Sequence, residues 1–171
     1  MIKLINLSAL CLLLAAIIFV HAAPINPPTI TAIDNSTVYC LFLPPQPGGD
    51  IASHENDAVP FCTQATPNAP NANILPSGFI VTSHYVVGDG FVQVTGRIDG
   101  SKYNLSSTDM GGQYDSVGAP PGATCAGSKK FVELVEPADG FFCIRCCTDS
   151  SKCNTGKSTE GCNTVIPGDY T

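Results

Sequence analysis

The clearest pattern in the chain lies between Phe79 and Ile98. Phe79 to Val87 is dense in aromatic and β-branched residues, which fit a pleated, half-buried surface. Gly88-Asp89-Gly90 supplies a turn that tolerates positive φ, and FVQVTGRI then alternates. Val92, Val94 and Ile98 fall on one face; Gln93, Thr95 and Arg97 fall on the other. This predicts a hairpin whose second strand has one side on a core. Gly96 breaks the apolar row and marks a bulge or a close backbone contact.

Other strands follow from shorter runs. TVYCLFL, residues 37–43, is apolar or β-branched throughout and predicts a strand buried on both faces, with Cys40 at its centre. KFVELVE (130–136) and FFCIRC (141–146) flank Pro137-Ala138-Asp139-Gly140, a turn by composition, and should pair. Residues 164–166 fit a short last strand. Residues 51–76 begin like a short helix that Pro60 interrupts, then read as a long loop pinned by Cys62. Residues 99–124 are polar and glycine-rich and read as loop. Short strands, frequent Gly and Pro turns and no amphipathic helix predict an all-β fold, a disulfide-stapled antiparallel sandwich or barrel with long loops.

The first 22 residues stand apart. Lys3 precedes an apolar run through Leu10, Leu14 and Phe19, closed by Val20-His21-Ala22. That is the layout of a secretory signal peptide, and the run is short for a membrane span of roughly 20 apolar residues. Cleavage after Ala22 leaves 149 of 171 residues, a length suited to one domain. Residues 23–36, with three prolines, are expected to be an extended arm, and residues 37–171 a single disulfide-rich β domain. IPGDYT at the end carries no apolar tail for a lipid anchor.

Export changes the meaning of the cysteines. Cys11 leaves with the signal, and eight remain: Cys40, Cys62, Cys125, Cys143, Cys146, Cys147, Cys153 and Cys162. Four crowd into FFCIRCCTDSSKC. Cys143-Ile-Arg-Cys146 has the spacing of a zinc or redox pair, yet its aromatic and β-branched neighbours place it in a strand, and a secreted chain meets oxidant first. The eight therefore read as a disulfide framework of unspecified connectivity. On a strand, Cys146 and Cys147 point to opposite faces and should bridge to two different, distant cysteines.

Several segments taken in order resemble a family of small secreted, cysteine-rich fungal proteins, some of which carry the label macrophage-activating glycoprotein. The resemblance rests on YCLFLPPQPGGDIA (39–52), DAVPFCT (57–63), LPSGFI (75–80), FVQVTGRID (91–99), GGQYDSVGAPPGATCAG (111–127), FFCIRCC (141–147) and IPGDY (166–170). It implies an extracellular fungal protein and carries over no catalytic residue.

Candidate chemistry is sparse. The chain without its leader holds 7 basic and 14 acidic residues, a poor match for nucleic acid or anionic lipid. His54 and His84 stand alone, and no H-E-x-x-H or G-x-S-x-G motif occurs. Asp99, Tyr103, Asp109, Gln113, Tyr114 and Asp115 place carboxylates and amide beside aromatics, a combination that can line a sugar site. Asp109 or Asp115 with Glu133 would form the carboxylate pair of a glycan hydrolase. A calcium loop over 99–109 lacks the EF-hand glycine and closing glutamate. Asn35 and Asn104 head N-glycosylation sequons. The function expected is non-catalytic surface recognition outside the cell, of a wall glycan or a host surface protein, with no cofactor. A small glycan-active hydrolase and a calcium-dependent binding module are the alternatives.

Overall fold

A computed structural model describes residues 29–118 and 120–171. The expected signal peptide lies outside the described residues. Ten strands form three sheets. The largest is antiparallel throughout, in the order β5 (Ile80–Gly88), β6 (Phe91–Ile98), β10 (Phe141–Cys147), β9 (Lys130–Glu136), β7 (Gly112–Asp115). The second contains β2 (Cys40–Leu43), β3 (Val59–Cys62) and β4 (Asn73–Ile74). A two-stranded parallel pair joins β1 (Ile30–Thr31) to β8 (Thr124–Cys125). Among the described residues no sheet closes on itself, so the sandwich alternative holds and the barrel does not.

Both expected hairpins form. Asp89 and Gly90 connect β5 to β6, with Gly88 opposite Phe91. Residues 137–140 connect β9 to β10, and Gly140 has φ of 68°. Gly96 has two roles. A Cβ there would fall 2.1 Å from the Thr82 carbonyl oxygen, and the register of β5 slips between Ile80 and Thr82 directly alongside. A side chain at this position would force the bulge apart.

Four short strands lie where loops were expected: β3 and β4 within 51–76, and β7 and β8 within 99–124. Pro60 explains the first miss. Cys40 and Phe42 send their amides away from β3, to the carbonyls and carboxylate of Ala32 and Glu133. Their partners across the ladder, Cys62 and Pro60, therefore occupy non-hydrogen-bonded positions. The pairing with β4 starts only at Phe61, so the missing N–H of Pro60 breaks no ladder bond. β7 escaped notice because only Tyr114 of its four residues is apolar. Residues 162–165 form one helical turn, α1, where a last strand was expected; Gly161 at its N-cap has φ of 75°.

The five-stranded sheet has an apolar layer on each side. Its inner face carries Val94, Tyr114, Phe131, Val135, Phe142 and Ile144 against Leu41, Phe42, Leu43 and Phe61 of the smaller sheet. Phe42 stacks on Phe131 at 5.4 Å and meets Tyr114 edge-on at 6.1 Å. Its outer face carries Val132, Leu134, Cys143 and Cys147, covered by Cys153, Cys162, Val165, Ile166 and Tyr170. Full burial of each large apolar side chain contributes about 1.5–3 kcal/mol relative to exposure.

Four disulfides join all eight cysteines of the described residues. Cys146 faces inward and bonds Cys125, while Cys147 faces outward and bonds Cys153. Cys143 bonds Cys162 on the outer side, and Cys40 bonds Cys62 across the smaller sheet. The two partners are different, as expected, but only that of Cys146 is distant in sequence: Cys125 lies 21 residues away, whereas Cys147 bonds a cysteine six residues along the chain, which the turn after β10 folds back onto the outer face.

Candidate functional site

The six polar and aromatic residues proposed from sequence divide among three environments. Asp99 caps a short 3-10 turn over Gly100–Tyr103, accepting from the Ser101 amide, and the Ser101 hydroxyl holds its carboxyl below the usual range. Tyr103 is buried between Phe61 and Phe79, its hydroxyl donating to the Pro44 carbonyl at 2.9 Å; burial pushes its phenol upward. Asp109 accepts from the amides of Ile51 and Gly111 at 2.9 and 2.8 Å, tying the 51–54 turn to the entrance of β7. These three are structural.

Tyr114 and Glu133 lie opposite one another on the inner face. The Tyr114 hydroxyl donates to the Ile51 carbonyl, and burial raises its phenol far above the ordinary value. Glu133 is completely buried. Its Oε1 accepts from the Phe42 amide at 2.7 Å, a bond between the two sheets, and its Oε2 has no partner among the described residues. With no cation beside it, desolvation drives its carboxyl well above the usual range. Asp115 is paired with Val132 and therefore faces outward, away from Glu133. Asp109 is committed to two backbone amides. The Asp115–Glu133 pair expected for a hydrolase is not assembled, because alternate strand positions send its members to opposite faces. Among the described residues, no group of three or more His, Cys, Asp or Glu is placed to hold a metal ion.

Gln113 and Asp115 remain together. Both project outward from the edge strand β7 into a cleft of about 340 Å³. Glu55 and Asn56 form one wall, contributed by the turn that wraps the sheet edge. Val117, Gly118 and Ser158 complete the lining. Asp115 organises the floor: Oδ1 accepts from the amides of Val117 and Gly118, and Oδ2 accepts from Gln113 Nε2 at 2.7 Å. Gln113 Nε2 also donates to the Thr155 carbonyl at 2.8 Å. These two acceptors fix the amide orientation, since the reverse flip would set oxygen against oxygen. Gln113 is 5% exposed, and its Oε1 has no donor among the described residues. An unsatisfied buried carbonyl costs about 1–3 kcal/mol unless a water or another donor reaches it.

Sequence inspection named Gln113 and Asp115 but not Glu55, Asn56, Val117, Gly118 or Ser158. Glu55 and Ser158 are more than a hundred residues apart and carry no motif, so nothing in their spacing could have united them. Asn35 and Asn104 are both exposed. Asn35 Oδ1 accepts from the amides of Thr37 and Val38 and from the Thr37 hydroxyl, and Asn104 sits in the left-handed region with φ of 55°.

Against known proteins, the chain is similar to two fungal proteins of Mycosarcoma maydis. It is 25% identical over 150 residues to Appressorium protein ROW1, covering 77% of this chain and 34% of that protein. It is 28% identical over 95 residues to Appressorium protein ROW2, covering 54% of this chain and 32% of that protein. The chain spans about a third of the length of these relatives. No family model matches, and no solved structure matches. The cysteine-rich chain is thus distantly similar to two proteins named as appressorium proteins, and the macrophage-activating label has no counterpart in these names. Among the described residues no helix is long and apolar enough to cross a membrane.

Proposed function

We propose that this is an exported fungal protein that acts without catalysis, recognising a saccharide at a wall or host surface through the Gln113–Asp115 cleft. The observation that carries the reading is the Gln113 carbonyl, buried and without a donor among the described residues, beside an open polar cleft. Sugar hydroxyls supply such donors, and Val117 at the rim offers an apolar contact for a ring face. The four disulfides and the leader-like first 22 residues support an extracellular setting. Similarity to appressorium proteins supports a role at host contact.

Titration of the oxidised protein with a panel of wall oligosaccharides, followed by amide chemical shifts, tests the reading. The expected result is binding that perturbs residues 113–118, with Gln113→Leu weakening it about tenfold, the loss of one well-made hydrogen bond in a partly desolvated site. Turnover of any oligosaccharide, or shifts confined to other surfaces, would overturn it.

A further inference from the structure

The lining of the cleft has a definite hydrogen-bonding sign. Asp115 and Glu55 are carboxylates, which accept and do not donate when ionised. Gln113 presents only its carbonyl, because both N–H bonds of its amide are spent on Asp115 and Thr155. Among the described residues, no Lys, Arg or His lines the cleft. Glu55 takes part in no ion pair among the described residues, whereas the neighbouring acid Asp57 is met by His54 at 2.8 Å and Glu160 by Lys157 at 2.7 Å. Two carboxylates thus line one small cleft beside the buried, unpartnered Gln113 carbonyl, with Asn56 and Ser158 as the other polar side chains among the described lining residues.

Such a lining is selective among sugars. Uronates, sulfated and phosphorylated sugars bring charge of the same sign and are repelled. A neutral N-acetyl sugar offers one amide N–H but adds a carbonyl that competes with those already present. A protonated primary amine brings three N–H donors and a compensating charge at one atom.

Resting on the saccharide reading above, we propose that the ligand is a sugar bearing a free amine, held with its ammonium between Glu55, Asp115 and the Gln113 carbonyl. The hydroxyls flanking the amine reach Asn56 and Ser158, and the ring lies over Val117. Deacetylated amino-sugar oligomers are therefore preferred to their N-acetylated counterparts. The preference is electrostatic and weakens with salt, since the outer wall of the cleft is open to solvent.

The test uses short oligomers, a glucosamine trimer and an N-acetylglucosamine trimer, with trilysine as a control of equal charge. Binding is measured by calorimetry and mapped by amide shifts on the oxidised protein. The expected result is that the glucosamine trimer binds at least tenfold more tightly than the other two and perturbs residues 55–56 and 113–118. Glu55→Gln should weaken it about threefold to fivefold, as expected for one solvent-facing charge pair. Glu160→Gln, whose acid lies outside the cleft, should leave binding unchanged. Equal binding of the two sugar trimers at the cleft would overturn the amine preference and leave saccharide recognition standing. Equal binding of trilysine, or shifts scattered over the acidic surface, would reduce the effect to general charge attraction and overturn the proposal. Failure of both sugars to perturb the cleft would remove the saccharide reading itself.

Discussion

The two faces of the five-stranded sheet are covered in different ways. On the inner side a second sheet supplies large interdigitating side chains, and the packing is mostly hydrocarbon and aromatic. On the outer side no second sheet covers it among the described residues. Residues 150–171 cross it as a short 3-10 turn, a polar loop, one helical turn and a tail. That cover has fewer apolar groups, so other bonds hold it. Cys147–Cys153 and Cys143–Cys162 fasten it to β10. Gln93 donates to the Pro167 carbonyl, Thr95 to the Asp169 carbonyl, and Arg145 bridges Gln93 to the Lys152 carbonyl while lying over the Phe91 ring. A sheet can be sealed by packing on one side and by covalent and polar fastening on the other. The cleft opens where the second kind of cover meets the sheet edge, because a polar loop cannot close over β7 as side chains do.

This contrast can be broken from either side. The largest effect is expected inside. Phe42→Ala removes a ring that touches both Phe131 and Tyr114, and should cost about 3–5 kcal/mol, read as a fall in denaturant midpoint. On the outside, the double change Cys143→Ala and Cys162→Ala opens a loop of 19 residues and should cost about 3 kcal/mol. Hydrogen exchange separates the two: the cysteine variant should lose protection first in residues 162–166, the phenylalanine variant throughout the sheet.

Glu133 sharpens the comparison through pH. Its folded carboxyl titrates above the ordinary value of 4.5 because it is buried, so the unfolded chain gives up its proton first. Stability from the neutral acid is complete below that ordinary value and is lost as pH rises toward the raised one. Glu136, also raised by burial on the outer side, acts in the same direction. Glu133→Gln keeps an acceptor for the Phe42 amide without a charge to desolvate. It should leave stability at pH 4 nearly unchanged and raise it at pH 8 by about 1–3 kcal/mol, flattening the curve measured by denaturation at several pH values. An unaltered pH slope would show that Glu133 does not control it.

The smallest effect belongs to the cleft. Glu55→Gln should change stability by no more than about 0.5 kcal/mol, since Glu55 is partly exposed and unpaired among the described residues. A larger loss, measured by thermal unfolding, would make Glu55 part of the scaffold.

What could be read directly from the chain was whatever a local period or a composition encodes. The alternation in FVQVTGRI fixed both faces of β6, the turn residues at 88–90 and 137–140 set two hairpins, and the row FFCIRCC assigned Cys146 and Cys147 to opposite sides of β10. Gly96 announced its bulge because the missing side chain interrupts a period-2 row. β3 was hidden by Pro60, whose tolerance depends on which way the amides of β2 point. β7 was hidden by its polarity, whose side-chain donors reach partners as far apart as residues 51 and 155. The cleft was hidden most deeply, since Gln113 and Asp115 meet Glu55 and Ser158 only after the edge of the sheet has been wrapped. By itself the sequence determined an all-β chain with eight pairable cysteines and strongly sided strands, because period and residue type are local properties. Tertiary structure alone decided which cysteines join, which carboxylates are buried and which acceptor is left without a donor. Those outcomes depend on the distances between segments remote in sequence, and no local pattern records them.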